Sequence, residues 1–465
     1  MAAPAIFTEQ QGFDGPVLTF YQSRNKLSTE GYKKNFSNRF VGFFKEVLLP
    51  YGYPESVSKD YSTYQIWDTL QAFCSTIIGS FKTRAVLTSV GVGNSEANAI
   101  SAATTWILKD GTGMVGRILF AWWKGSGLDS DCKKWRYFAD ILNDAAMLME
   151  LCLCYYSSWS MEVLCLSATM YSIVGIAGGA TRASITHHQA IRDNMAEVSA
   201  KDGSQETIVN LIGSLGSIFL LNIISSTSME WVLVLVLMIL HLYTNYMAVR
   251  GLVFDTLNEE RMALTIRRYF TTGTVGSPST VNAQESLLIG CGLNIKDICG
   301  FKIVMGQSTK KFMEYCSIDK ALLLQKTYEN DSYILFVSPK EKKIYVGLES
   351  SESVSERPLI LLSAYFHAVC LGIASSILNS EKLTIYRNRQ LHLKTPITRL
   401  KSFIDNFIRL EETSADHILR LLSSWVRREE NMYFTALTTS DWNVDSHNLN
   451  VGEYRMNWKK GDKNN

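Results

Sequence analysis

The sequence predicts a mainly α-helical protein in which a polytopic membrane bundle is followed by a smaller, soluble α+β domain. Three stretches without Asp, Glu, Lys or Arg, at 163–181, 207–229 and 231–249, approach the roughly 20 residues that a membrane-crossing helix needs. The clearest strand-like segments lie beyond residue 300. The chain is 46% hydrophobic and 19% charged, which is too apolar for an ordinary soluble enzyme and too polar for a chain wholly in a membrane.

Changes in composition divide the chain into four segments. Residues 1–35 are polar and mixed and predict a flexible N-terminal tail, and residues 36–270 predict the helical membrane domain. Residues 271–284 are rich in Gly, Ser, Thr and Pro and predict a linker. Residues 285–465 predict the α+β domain, with strands expected at 301–306, 332–337 and 343–348.

Some of the apolar stretches have more than one interpretation. The stretches 207–229 and 231–249, separated only by Glu230, predict a transmembrane hairpin, and a helical hairpin inside a soluble core is the alternative. The uncharged stretch 358–380 is long enough to span a membrane. Because it lies between soluble-looking elements, we expect a buried core helix there.

A dense run of polar residues, 177–207, lies between the first and second apolar stretches. Ionisable groups in or beside a bilayer are costly unless they pair or face water, so they indicate function. We therefore predict a substrate-binding site that includes Arg182, His187, His188, Arg192, Asp193, Asn194, Lys201, Asp202, Gln205 and Glu206.

Two short motifs of this run recur earlier in the chain. Residues 83–88 and 181–186 follow TRAxxT, and residues 109–112 and 201–204 follow KDG[ST], in the same order. This order favours an internal duplication, with coincidence as the alternative. Duplicated bundles are typical of transporters, whose sites lie near Gly-interrupted helices. We therefore predict a helix break at each KDG[ST] and add Arg84, Lys109 and Asp110 to the site; alternatively, the Lys and Asp of each motif pair and fix a turn.

Glycines and histidines form two further patterns. Gly111, Gly113 and Gly116 spell GxGxxG, but no strand precedes them, so close helix packing is favoured over dinucleotide binding.

His187 and His188 point about 100° apart on a helix and bind one metal ion only if other helices contribute ligands. Structural hydrogen bonding is the favoured alternative, and we predict no metal site.

Two carboxylates, Asp140 and Asp144, share one face of an otherwise apolar helix. They carry a proton or a cation in one interpretation. In the other, which we favour, they accept from Arg84 and Arg182 across the bundle.

Six stretches of the membrane domain are long and unusual: YGYPESVSKDY, FAWWKGS, WRYFADILND, AGGATRA, HQAIRDNMAEVSAKDGSQETIVNLIG and TLNEER. They resemble the root ultraviolet-B-sensitive family over residues 36–270. The resemblance implies a membrane-associated protein, whose plant relatives act with one another and are tied to vitamin B6 homeostasis and early seedling development. It supplies no catalytic residues. The N-terminus lacks the pattern of a transit peptide, which argues against the plastid location of some plant relatives and leaves the organelle open.

We expect an integral, multi-pass membrane protein that moves or binds a small anionic metabolite. The resemblance implies a phosphorylated B6 vitamer, such as pyridoxal phosphate, as the ligand. The alternative is a non-catalytic membrane scaffold that binds partner proteins or a B6 vitamer, and a weaker one is a soluble helical enzyme that uses the adjacent histidines. Because the sequence lacks a P-loop, HExxH or a Ser/His/Asp order, we favour a protein that is not an enzyme.

The charge distribution bears on partners and orientation. A net charge of +2 gives no argument for nucleic acid. The expected partners are membrane lipid, a small anionic metabolite and, as the resemblance implies, further family members in homo- or hetero-oligomers. The positive-inside rule places the C-terminal domain in the cytosol, on the side of Lys133, Lys134, Arg136, Arg250, Arg261, Arg267 and Arg268.

Overall fold

The computed structural model describes residues 5–10, 17–23, 26–31, 36–89, 99–155, 157–224, 226–314, 316–350, 357–378, 383, 395–409 and 415–458. The chain divides into two compact units. The first comprises residues 1–128 and 135–252, and the second comprises residues 129–134 and 253–465. A short segment of the N-terminal half thus belongs to the second unit.

Long helices make up most of the first unit. They are α1 (Phe36–Leu48), α2 (Tyr61–Ser89), α3 (Ala99–Lys124), α4 (Cys132–Leu151), α5 (Ser160–Gln189), α6 (Met195–Ile223) and α7 (Thr227–Gly251). α2 packs against α6 and α7, and α3 packs against α5. The core between α2, α4 and α7 includes Ile78, Phe81, Met147 and Val234. Val234 belongs to the predicted span 231–249, so this stretch also packs inside the unit.

The three predicted spans form helices, and the predicted helix breaks are wrong. Lys109 and Thr112 lie within α3, and Lys201 and Ser204 lie within α6. The Thr112 hydroxyl donates to the Lys109 carbonyl of its own helix. A helical glycine costs only about 1 kcal/mol relative to alanine, which neighbouring helix-forming residues and packing outweigh. The chain turns instead at 190–194, where Asp193 has a φ of 53°, a region that Asp tolerates better than most residues.

The N-terminal segment, for which we expected a flexible tail, contains a three-stranded antiparallel sheet. Its strands are β1 (Ala5–Gln10), β2 (Val17–Ser23) and β3 (Lys26–Gly31), in the order β1-β2-β3. Thr8 pairs with Thr19, and Phe20 pairs with Thr29. Aromatic and β-branched residues favour strands, and the polar composition of the segment obscured this preference.

The second unit contains the α+β part of the chain. β5 (Lys302–Met305) runs parallel to β7 (Lys343–Leu348), which pairs antiparallel with β6 (Tyr333–Ser338). The three predicted strands are therefore confirmed. A short parallel pair joins β4 (Leu257–Asn258) to β8 (His447–Asn448).

The second unit also contains eight helices among its described residues. They are α8 (Glu259–Thr272), α9 (Pro278–Asn282), α10 (Ile295–Cys299), α11 (Lys310–Met313), α12 (Ile318–Thr327), α13 (Pro358–Leu378), α14 (Pro396–Arg409) and α15 (Ala415–Thr438). α13 contacts all three strands, and 78% of its most apolar window is buried. This agrees with the core helix that we expected within 358–380.

The boundary between the units differs from the predicted one. α8 belongs to the second unit, although we placed residues up to 270 in the membrane domain. Its apolar face, with Met262, Ile266 and Phe270, is buried in the core of that unit. The predicted linker 271–284 contains α9, and the buried Asn282 amide exchanges two hydrogen bonds with the Phe254 backbone.

Candidate functional site

A polar cavity of about 290 Å³ lies among α2, α4, α5 and α6 of the first unit. Residues three or four positions apart share a helix face, and the lining residues of α2 and of α6 follow this spacing. The cavity is lined by Tyr64, Asp68, Gln71, Ala72, Ser75 and Thr76 of α2, by Arg136 of α4, by Arg182 of α5, and by Asp202, Glu206 and Asn210 of α6.

Arg182 forms one side of this cavity and pairs with two carboxylates of different exposure. Its Nε and Nη2 atoms both lie 2.6 Å from Oδ2 of Asp202, which is buried. Its Nη1 atom lies 2.8 Å from Oε2 of Glu206, whose side chain is 45% exposed. The buried carboxylate of Asp202 thus holds the guanidinium in place. The partly exposed carboxylate of Glu206 also pairs with it.

Arg136 lies in the same cavity on α4. Its Nη2 atom donates to Oδ1 of Asp68 at 2.8 Å, and its Nε atom lies 3.9 Å from Oδ2 of Asp140. The lining therefore carries two guanidiniums and three carboxylates, those of Asp68, Asp202 and Glu206. An anion that enters this cavity has to compete with a carboxylate for an arginine.

A chain of buried polar groups continues from the cavity toward α7. Nε2 of Gln71 donates to Oδ1 of Asp140 at 3.1 Å and lies 2.9 Å from Nε2 of His241. Nδ1 of His241 lies 2.9 Å from Oδ2 of Asp144. All four side chains are buried, and His241 has no exposed surface.

A second cluster surrounds Glu150, which is fully buried at the end of α4. Its carboxylate lies 3.5 Å from Nζ of Lys82 and 3.4 Å from Nζ of Lys109. The hydroxyls of Ser167 and Tyr171 donate to it at 2.6 and 3.4 Å. Two ammonium groups and two hydroxyls therefore compensate one buried carboxylate, which is typical of a structural ion pair network.

Only part of the predicted site converges. Arg182, Asp202 and Glu206 meet in the cavity. Arg84 pairs instead with Glu230, Lys109 belongs to the Glu150 cluster, and Asp110 is exposed on α3. The two TRAxxT arginines therefore lie in different environments.

Other predicted site residues hold the segment 46–61 against α5 and α6. Nε2 of His188 lies 3.0 Å from Oδ2 of Asp60. Lys201 donates to the Glu46 carbonyl, and Gln205 donates to the Leu48 carbonyl. In the same region the Asn194 side-chain amide donates to the Ser56 carbonyl, and His187, Arg192 and Asp193 are exposed. These contacts give the region a structural role.

Sequence reasoning missed Asp68, Gln71 and Arg136 as members of the site. One signal was available, because Arg136, Asp140 and Asp144 recur every four residues and so lie on one face of α4. Asp68 and Gln71 lie three positions apart and share a face of α2, but nothing in the mostly apolar sequence around them indicates that this face lines a site. Asp140 and Asp144 accept from Gln71 and His241 rather than from Arg84 and Arg182, which corrects the predicted pairing.

Several helices of the first unit expose large apolar side chains. Three of its helices, α5, α6 and α7, are long and apolar enough to cross a membrane, as is α13 of the second unit. Of the 18 most apolar consecutive residues of α6, only 11% are buried, whereas 78% are buried in the corresponding stretch of α13. Large exposed apolar residues include Ile107, Ile118 and Trp122 on α3, Leu215 and Phe219 on α6, and Val232 and Ile239 on α7.

Two family models cover almost the whole chain. Residues 34–273 match a model described as a vitamin B6 photo-protection and homoeostasis domain, and residues 274–458 match one described as the C-terminal part of root UVB sensitive proteins. The chain belongs to the root UVB-sensitive family. This confirms the resemblance, and the description of the first model supports a B6-related role.

Several curated relatives of the root UVB-sensitive family align with the chain. RUS family member 1 of Dictyostelium discoideum is 46% identical over 255 residues, which cover 54% of this chain and 48% of that protein. Protein root UVB sensitive 3 of Arabidopsis thaliana is 35% identical over 387 residues, covering 78% of this chain and 86% of that protein. The chain thus aligns with about half of the Dictyostelium protein. A chloroplastic relative, root UVB sensitive 2 of Arabidopsis thaliana, is 32% identical over 252 residues. No solved structure matches the chain significantly.

Proposed function

We propose that the first unit of this protein is embedded in a membrane, binds a small anionic metabolite in the cavity at Arg182 and carries it across. The role is binding and transfer without covalent chemistry. The observation that carries the proposal is a charged cavity inside a helical unit with apolar outer faces. Charged groups within membrane helices face the interior and mark substrate paths by default, and the outward residues of α3, α6 and α7 suit contact with lipid.

The two partners of Arg182 suggest how an anion binds. Asp202 is buried and contacts two nitrogens of the guanidinium, so it keeps the side chain in place. Glu206 is half-exposed and contacts one nitrogen, and such pairs contribute only about 0–1 kcal/mol. An entering anion therefore replaces Glu206, which turns toward solvent, while Asp202 continues to orient Arg182.

The charge pattern of the cavity suits a ligand with both signs of charge. Its lining has one more carboxylate than guanidiniums, so a purely anionic ligand gains less here than one that also offers a positive or donor group. A phosphorylated B6 vitamer combines a phosphate with a ring nitrogen that takes a proton. The volume of about 290 Å³ is at the low end of the roughly 300–1,000 Å³ of ligand pockets and suits a molecule of this size. The B6 description of the matching family model supports this choice.

Equilibrium binding to the detergent-purified protein tests the proposal. We choose pyridoxine 5′-phosphate as the probe because it lacks the aldehyde that attaches pyridoxal phosphate to lysines. We expect saturable binding, weakened about tenfold or more by Arg182→Gln, since a hydrogen bond to a charged group contributes about 1.5–3 kcal/mol. We expect Glu206→Gln to strengthen binding several-fold, because the anion no longer competes with a carboxylate.

Arg84→Gln is the matched control. Arg84 occupies the equivalent position of the other TRAxxT motif but lies outside the cavity lining, so this variant should bind as the wild type does. Absence of binding, or equal losses in Arg84→Gln and Arg182→Gln, would contradict the proposal. A protein that captures family partners through its second unit but binds no vitamer would favour the scaffold instead.

A further inference from the structure

Gln71, Asp140, His241 and Asp144 form a polar chain between α2, α4 and α7, and only Gln71 of the four lines the cavity. The amide nitrogen of Gln71 lies 2.9 Å from Nε2 of His241. An amide nitrogen only donates hydrogen bonds, so this contact requires a lone pair on Nε2. The proton of the neutral imidazole is then on Nδ1, which donates to Asp144 at 2.9 Å. The geometry thus describes a neutral His241 with both nitrogens in use.

We propose that His241 is a proton-binding site coupled to the cavity through Gln71, so that H⁺ is the second ligand of this unit. This inference rests on the proposed function, because it assigns the ion that accompanies the metabolite. An imidazole is the side chain whose ordinary pKa lies closest to neutral pH. A buried ionisable residue on a helix that is long and apolar enough to span a membrane is the usual element of a proton path.

Protonation of His241 has a defined structural consequence at Gln71. A proton that binds Nε2 turns this atom into a donor, which cannot face the Gln71 amide nitrogen. The amide rotates by about 180°, and its oxygen then accepts from Nε2–H. The hydrogen bond from Gln71 to Asp140 breaks in the same step. One bound proton therefore changes the hydrogen bonds of His241, Gln71 and Asp140.

The surroundings of His241 can hold the added positive charge. Oδ1 of Asp144 and Oδ2 of Asp140 are buried and accept no hydrogen bond from the residues that the structure describes, so both carboxylates have spare acceptor capacity beside the imidazolium. When Asp140 loses Gln71, it becomes a stronger partner for Arg136, which pairs with Asp68 at 2.8 Å and lies 3.9 Å from Asp140. Proton binding at His241 therefore shifts charge at the cavity wall.

The charged groups that act on His241 are Arg136, Asp140 and Asp144 of α4. Asp68 of α2 acts in turn on Asp140. The uncharged titratable groups that interact with Asp140 or Asp144 are Tyr64 and Cys74 on α2, Tyr137 on α4 and Tyr171 on α5. Histidine is the one type in this set whose ordinary pKa lies between 5 and 8.

Two measurements on the full chain test the proton site, one of them without ligand. Infrared difference spectra of ligand-free proteoliposomes between pH 5 and 8 should contain a glutamine side-chain carbonyl band that is lost in His241→Gln, and the imidazole bands, to which the other histidines also contribute, should be weaker in this variant. Calorimetry of pyridoxine 5′-phosphate binding in buffers of different ionisation enthalpy should give a different number of exchanged protons for wild type and His241→Gln. His187→Gln, at an exposed histidine of α5, is the control; it should keep the glutamine carbonyl band and the proton exchange on vitamer binding that the wild type shows.

The outcomes separate this inference from the proposed function. Titration of the imidazole without vitamer binding would contradict the proposed function and support the proton site. Vitamer binding with equal proton exchange in wild type and His241→Gln would overturn the proton site, as would a glutamine carbonyl band that persists unchanged in His241→Gln. If His241→Gln does not fold, Asp144→Asn serves instead, and an unchanged midpoint of the imidazole titration in that variant would overturn the inference.

Discussion

Arg84 and Arg182 occupy the same position of the TRAxxT motif, and their different partners decide their different roles. Arg84 is paired with Glu230 of α7, and Arg182 lies in a cavity between a buried and an exposed carboxylate. The role of each arginine is therefore set by how buried its carboxylate partner is, since the residue type is the same. An exposed partner can be displaced by a ligand, whereas a buried one positions the arginine.

Lys133 is an example of a charge that holds the second unit together. It is 1% exposed and lies 2.8 Å from Oδ1 of Asn282 and 3.2 Å from Oε2 of Glu285. We expect Lys133→Met to destabilise the protein by about 3 kcal/mol or more, because it leaves a buried carboxylate with fewer partners. Denaturant unfolding of the full chain in detergent, followed by tryptophan fluorescence, measures this loss. The exposed Lys302→Met is the control, and an equal effect of both variants would contradict the assignment.

Glu285 predicts a pH dependence of stability. Burial alone would raise its pKa, but the charges of Arg261 and Lys133 and hydrogen bonds from Asn258 and Arg261 outweigh burial and hold the pKa below its usual 4.5. A carboxyl group with a lowered pKa in the folded state stabilises the fold above its unfolded-state pKa, and this contribution is lost as pH falls through the folded-state pKa.

We therefore expect the wild type to lose stability as the pH falls below about 4.5. The variant Glu285→Gln should be less stable at pH 7 but should lose less stability over the same acid range. Thermal unfolding of both proteins from pH 7 to pH 3 gives the comparison. Parallel curves for the two proteins would exclude Glu285 as a source of the acid sensitivity.

At the scale of helices, the three glycines of the GxGxxG pattern in α3 differ in whether a neighbouring helix packs against them. A Cβ at Gly116 would lie 2.9 Å from Cγ2 of Thr169, and one at Gly113 would lie 3.1 Å from Oγ of Ser172, whereas a Cβ at Gly111 has no neighbour within 4 Å. The predicted role in helix packing is confirmed for Gly113 and Gly116, which face α5.

We expect Gly116→Leu to destabilise the first unit by about 1–3 kcal/mol, because the added side chain pushes α3 away from α5. Gly111→Leu, on the open side of the same helix, should be neutral or stabilising because leucine favours helix over glycine. Thermal stability in detergent separates the two variants. A loss of the same size in both would mean that α3 does not pack against α5 through this face.

The elements of this protein are easier to predict from sequence than its site. The charge-free stretches gave α5, α6 and α7, because each helix carries its own apolar signal over 19 or more residues. The site depends on tertiary pairs. Arg136 meets Asp68 across 68 positions, and Gln71 meets His241 across 170. Local sequence indicates Arg182 with Asp202 and Glu206, which pair across one turn between α5 and α6, and the four-residue spacing of α4 indicates Arg136.

For the whole molecule, the structure reduces the number of basic residues that the positive-inside rule can use to predict membrane orientation. Arg261 and Lys133 are buried in ion pairs of the second unit, and Arg136 lies in the cavity. The positive-inside rule counts basic residues in the loops beside membrane spans, and these three side chains are instead in ion pairs or in the cavity. The predicted orientation therefore depends on fewer residues than the sequence suggested. A cytosolic second unit stays a prediction.

Membrane embedding itself predicts the result of a simple fractionation. We expect the full-length protein to stay in the membrane pellet after alkaline carbonate extraction and to require detergent for release, because α3, α6 and α7 expose large apolar side chains. A peripheral membrane protein included in the same sample controls the extraction. Release of this chain into the carbonate supernatant would contradict a membrane-embedded first unit.

The most direct test of the central claim is uptake of radiolabelled pyridoxine 5′-phosphate into proteoliposomes. We expect time-dependent, saturable uptake by the wild-type protein and by Arg84→Gln, and loss of most of this uptake in Arg182→Gln with equal protein incorporation. Uptake that is no greater than in protein-free liposomes, or that is the same in Arg182→Gln as in wild type, would contradict it.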